Sequence, residues 1–235
     1  MAETKILFCP GIGANGEMFD DMIEKMEKLS IKVKPTYLEF PKPVSKRESL
    51  PDYAVRAFSS PEIKNKKFDL VVACSFGGML YQEAFKQKLI KDSKSVLICT
   101  AYSGNDIQNF FSIGMPLARF FPGFLHRPVQ IFIAVLYPIL RFRRPWARKF
   151  SRMFLKTDPA VFFTAPAMIY RWNRNQDYYP VLPDNVIQFH GTKDPLISYK
   201  KISEIRVPEF PLYKRNHIIF ATEVDFIVKE ITNFI

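Results

Sequence analysis

The stretch DLVVACSFGGM, residues 69–79, closes an apolar run on two nucleophilic side chains, Cys74 and Ser75, and then turns through Gly77 and Gly78. A sharp strand-to-helix turn pushes one side chain into the open. It needs small residues two positions before and two after that side chain, because neighbouring backbone comes close there. Centred on Ser75, those positions are Ala73 and Gly77; centred on Cys74, they are Val72 and Phe76, both too bulky. Ser75 is therefore the candidate nucleophile and Cys74 a buried neighbour. The plain alternative is that Ser75 caps the helix that follows.

A serine hydroxyl is a weak nucleophile at neutral pH and needs an adjacent base. The chain has three histidines, His126, His190 and His217. His217, in YKRNHIIF, falls in a loop before the last helical stretch and is the candidate base. Asp194, in HGTKDPLI, is the candidate acid that would hold the imidazole in one tautomer; its alternative role is capping a helix. His190 reads as structural and His126 as a surface or lid residue. Asp106 is a second candidate acid. A developing oxyanion needs two backbone N–H groups. Phe76, just after the nucleophile, and Ile12, in CPGIGANG, are the expected donors, with Gly11 and Gly13 allowing close backbone approach. GIGANG fits neither the dinucleotide-binding spacing nor a P-loop, which requires Gly-Lys-Ser/Thr. No Cys-x-x-Cys or Cys/His cluster is present, so no metal and no cofactor is expected.

Elements that would position these residues follow from hydrophobic periodicity. Strands are predicted over 5–9, 32–40, 68–73, 95–100, 186–190 and 205–212. Pro208 and Pro211 place the last at an edge. Helices are predicted over 17–29, 53–58, 76–90 and 222–234. Alternating strands and helices imply an α/β fold, a mostly parallel sheet flanked by helices. Residues 104–180 hold no convincing strand and are broken by prolines, which suggests a helical insertion over the strand ends.

The chain resembles α/β-hydrolase-fold proteins, and specifically small serine esterase/lipase-like members with a helical lid. CPGIGANGEMF resembles the oxyanion loop, ACSFGG the nucleophile elbow (with Ala73 for a usual glycine), HGTKDPLI the acid turn and NHIIF the histidine loop. The order Ser75, Asp194, His217 is that of the family's triad. The resemblance implies a core of residues 1–103 and 181–235 with a lid at 104–180. It also implies hydrolysis of an acyl ester through an acyl-enzyme. Two alternatives remain: a thioesterase or esterase acting on acyl-carrier-protein substrates, and a non-catalytic binding module on the same fold.

The 235 residues suit one domain with an insertion, and 48 % apolar against 24 % charged residues is an ordinary globular balance. The net charge of +11 is concentrated: residues 104–180 carry eleven Lys/Arg against three Asp/Glu, +8 of the total. RFRRPWARKF, residues 141–150, interleaves basic and aromatic side chains. An acidic carrier protein or an anionic membrane surface would suit such a segment, whereas no nucleic-acid motif accompanies the charge. Cys9, Cys74 and Cys99 are far apart and each borders an apolar run, as packed thiols of a cytoplasmic protein do. The N-terminus has no signal-peptide pattern. The apolar run 129–140 is short for a membrane span and reads as a buried helix.

Overall fold

The computed structural model describes residues 3–109, 114, 117, 120–140, 145–174 and 181–235. Residues 141–144, the first four of the basic stretch, lie outside them. Six strands, β1 (Thr4–Cys9), β2 (Val33–Tyr37), β3 (Leu70–Cys74), β4 (Lys94–Ile98), β5 (Val186–Gly191) and β6 (Phe210–Leu212), form one sheet in the order β2-β1-β3-β4-β5-β6. Every pairing is parallel.

Successive strand residues point to opposite faces. Leu7, Cys9, Val71, Ala73 and Leu97 join one apolar core with α2 (Leu50–Phe58) and α3 (Phe76–Lys86). Ile6, Phe8, Leu70, Val72, Val96 and Ile98 join the other with α1 (Asp20–Lys28) and a C-terminal helix at Val224–Phe234. All five residues of β3 are buried. A strand covered on both faces reads as an unbroken apolar run, which is why LVVAC does not alternate.

Between β4 and β5 the described residues include a 3₁₀ turn (Gly104–Asp106) and the helices α4 (Gly123–Leu140), α5 (Pro145–Lys156) and α6 (Pro159–Arg171), with no strand among them. Pro159 opens α6, where its missing N–H costs nothing, and the Asp158 side chain accepts the Ala160 N–H. After β5 come α7 (Tyr199–Ile205), α8 (Ile219–Thr222) and α9 (Val224–Phe234).

Three local expectations need correction. The strand expected over 205–212 is confined to the edge strand β6, because Ser198 caps α7 through the Lys201 N–H and the chain stays helical to Ile205. The helix over 76–90 ends at Lys86, and Lys88 adopts φ +57°. The run 129–140 lies in α4 but is not a buried helix: Ile131, Phe132, Val135, Ile139 and Leu140 are exposed.

Candidate functional site

In an open parallel sheet, ligands bind beyond the carboxyl ends of the strands. Here those ends gather the β1 loop, the turn after β3 and the loops after β4, β5 and β6, the last carrying His217. Ser75 directly follows central strand β3 and adopts φ +50°, ψ −117°. A non-glycine residue in this sparsely populated region stores strain that surrounding structure must hold. The Ser75 N–H donates to the Ile98 carbonyl at 2.9 Å, and its carbonyl accepts from Thr100 Oγ1 at 2.9 Å. Gly77 explains why the turn needs glycine: a Cβ there would sit 2.4 Å from the carbonyl oxygens of Cys9 and Pro10. The Ser75 hydroxyl makes no capping bond to the helix; it lies 3.0 Å from His217 Nε2.

His217 Nδ1 lies 2.6 Å from Asp194 Oδ2. The three side chains thus form one line, with Nδ1–H donating to the carboxylate and Nε2 free to accept the serine proton. Asp194 is buried, and its Oδ1 accepts the N–H groups of Leu196 (2.8 Å) and Ile197 (3.0 Å). The turn-capping role and the orienting role therefore belong to different oxygens of one carboxylate. Burial alone would raise its pKa. The charge and hydrogen bond of His217, with the Ile197 N–H and the charge of His190, outweigh burial and hold it below the ordinary carboxylate value. The histidine loop is shaped by Asn216, whose Oδ1 accepts the Ile218 N–H at 3.0 Å. Gly191 lets that loop close on β5, since a Cβ there would fall 2.3 Å from the Asn216 carbonyl oxygen.

The other candidates fall elsewhere. Asp106 is buried, but its Oδ2 accepts the N–H groups of Tyr102 (2.7 Å) and Ser103 (2.8 Å) in a capping box. No contact joins it to His217 among the described residues. His190 is fully buried, with Nε2 3.5 Å from Asp194 Oδ2 and 3.4 Å from the Ile197 carbonyl; burial holds its pKa below the usual histidine value. His126 lies on the inner side of α4 and not at the surface: it is buried, with its ring centroid 4.5 Å from that of Phe163. Burial pushes the thiols of Cys9 and Cys74 up, so neither is a thiolate at neutral pH. Cys99 reads in the sequence only as a packed thiol, with no sign of a place beside the acid. It turns the chain at φ +45° after β4, and its sulfur, with Asp194 and His217, makes one compact cluster. Burial and the Asp194 charge keep that thiol protonated, which disfavours metal ligation.

Phe76 is the first residue of α3, so its N–H belongs to the unsatisfied first turn of the helix. Ile12 and Ser75 line one cavity of about 250 Å³. Its other walls are mostly apolar: Tyr137 from α4, Trp146 and Phe150 from α5, Phe162 from α6, and Phe220. A larger depression of about 740 Å³ lies at the opposite, amino ends of the strands, lined in part by Lys32, Lys67, Asp69, Asp92 and Lys94. It is distant from Ser75.

No family model matches the chain, and no curated protein matches it by sequence. Solved structures do match. An esterase from Thermogutta terrifontis aligns over 99 % of this chain and 89 % of its own, with TM-score 0.69 and 13 % identity. An esterase from Exiguobacterium antarcticum aligns over 99 % and 92 %, with TM-score 0.68 and 12 % identity. A hydrolase from Oleispira antarctica aligns over 100 % and 91 %, with TM-score 0.65 and 18 % identity. The chain has the α/β-hydrolase fold.

Proposed function

We propose that the protein is a serine hydrolase that cleaves a carboxylic ester through an acyl-enzyme. The observation that carries this is the unbroken line Ser75 Oγ–His217 Nε2–His217 Nδ1–Asp194 Oδ2, at 3.0 and 2.6 Å, on a strained strand-to-helix turn. His217 takes the Ser75 proton as Oγ attacks the ester carbonyl. The tetrahedral oxyanion is held by the N–H groups of Phe76 and Ile12. His217 then protonates the departing alkoxide as the C–O bond breaks, which leaves acyl-Ser75. Water, deprotonated by His217, attacks the acyl-enzyme, and the acid and free serine are released. Asp194 stays ionised and stabilises the imidazolium.

Residues 1–103 and 181–235 act as the catalytic core, and 104–180 as a lid whose aromatic side chains wall the acyl pocket. The apolar walls fit an acyl group better than a charged one. A thioester or carrier-bound substrate would use the same steps, and the basic lid is what would favour an acidic carrier.

The test is a series of nitrophenyl esters of increasing acyl length. The expected result is hydrolysis with a chain-length optimum and an initial burst of one nitrophenol per protein, both absent in Ser75→Ala. No turnover at any length, or turnover retained by Ser75→Ala, overturns the proposal. If a carrier protein is the physiological donor, its hydrolysis falls steeply with salt while that of the nitrophenyl esters does not.

A further inference from the structure

Helix α4 is built inside out. Its inward positions are His126, Gln130 and Ala134, four residues apart, while Phe124, Ile131, Phe132, Val135, Ile139 and Leu140 are exposed. The inward polar stripe is bonded into the protein. Gln130 Nε2 donates to the carbonyls of Phe154 (2.6 Å) and Thr157 (3.0 Å), and the exposed Arg127 at the rim of the stripe donates to that of Leu155 at 2.8 Å. Polar residues turned in and large apolar residues turned out reverse the pattern of a helix that meets water.

The geometry points to an anionic lipid surface as the partner of this face. Four observations select it. Six large apolar side chains of α4 are exposed together on its outward side, where a helix facing water carries polar ones. From Pro128 to Leu140 the helix carries no charge, yet it belongs to a segment of net charge +8. Arg127 on α4 and Arg148 and Arg152 on the adjoining α5 are exposed, Arg152 lying 3.4 Å from the Glu17 carboxylate and Arg127 bonded to Gln130 and the Leu155 carbonyl. A bilayer offers hydrocarbon beside negative headgroups, whereas a second copy of a +11 chain would meet its own repulsion. Although α4 is long and apolar enough to cross a membrane, its bonded stripe ties it to α5, so it lies in the surface plane. Tyr137 of α4 and Trp146 and Phe150 of α5 wall the Ser75 cavity, so the face that docks is the outer layer of the pocket. Docking does not require the hydrolytic proposal, although it would deliver a lipid-dissolved ester to it.

The experiment is sedimentation of the whole chain, as Ser75→Ala to prevent lipid turnover, with vesicles of phosphatidylcholine alone or with about one-third phosphatidylserine. The comparison protein adds Phe132→Glu and Val135→Glu, two outward positions, with its fold checked by circular dichroism. Expected are binding to the anionic vesicles that weakens with salt, several-fold less on neutral vesicles, and a loss of about tenfold or more in the double variant. No binding to either vesicle, or equal binding by the variant, overturns the proposal. A concentration-dependent dimer that the variant dissolves also overturns it, by giving the face to a second copy. Because the readout is binding by an inert protein, its failure is separate from any failure of the ester chemistry.

Discussion

Asp194→Asn probes the line of hydrogen bonds with almost no change of shape. In the native chain Oδ1 accepts two backbone N–H groups and Oδ2 faces His217 Nδ1. Asparagine must keep its carbonyl on the Leu196 and Ile197 N–H groups. The flipped amide would set its NH₂ against two donors, leaving buried groups unpaired at about 1–3 kcal/mol each. The NH₂ therefore points at Nδ1 and donates to it. His217 then carries its proton on Nε2, which can no longer accept from Ser75 Oγ. The tautomer is wrong, and the expected loss is about 10⁴-fold in kcat, or about 5 kcal/mol at roughly 1.4 kcal/mol per tenfold. The assay is steady-state hydrolysis of a nitrophenyl ester, with circular dichroism to confirm the fold. A loss of less than about tenfold in a folded variant refutes the reasoning.

Three further outcomes follow from the geometry. Asp106→Asn keeps a carbonyl for the Tyr102 and Ser103 N–H groups, so turnover stays within a few-fold of the native rate; a loss matching that of Asp194→Asn would move the acid to Asp106. Gly77→Ala drives a methyl into the Cys9 and Pro10 carbonyls at 2.4 Å and lowers unfolding free energy by about 1–3 kcal/mol, as read by urea denaturation; an unchanged midpoint contradicts the close packing. His190 is held neutral by burial, so the unfolded chain takes up its proton first as pH falls. Stability then declines as pH drops through about 6.5, the ordinary histidine value, and the depressed Asp194 adds a second loss only below the ordinary carboxylate range, as pH falls through its folded value. Melting temperature against pH checks this, and His190→Asn should flatten the first slope.

Much of the candidate site was legible because each turn that carries one of its residues is local in sequence. Small residues around Ser75 announce a tight turn, and the observed φ of +50° and the Gly77 contacts show why. The order Ser75, Asp194, His217 suggests the partners, and β3, β5 and β6, which precede them in turn, bring their carboxyl ends to one end of the sheet. The choice between Asp194 and Asp106 was harder, because both are buried acids after strands. Only the backbone N–H groups around each reveal which keeps an oxygen for His217. Residues behind the acid, His190 and Cys99, carry no local signal of their role, since long-range packing places them there. Helix α4 escaped for another reason. Periodicity finds two faces but not which one turns inward, and a run such as VQIFIAVLYPIL reads as core when composition alone is weighed. The bonds of Gln130 to the Phe154 and Thr157 carbonyls decide the orientation. The segment 205–212 misled because Pro208 and Pro211 mask a boundary between α7 and a three-residue edge strand.

The most direct measurement of nucleophilic Ser75 is labelling by a fluorophosphonate, read by intact mass and peptide mapping. One adduct per chain is expected, on Ser75, absent in Ser75→Ala and far slower in His217→Ala. A native protein that stays unlabelled, or a Ser75→Ala protein labelled to the same extent, would contradict that role.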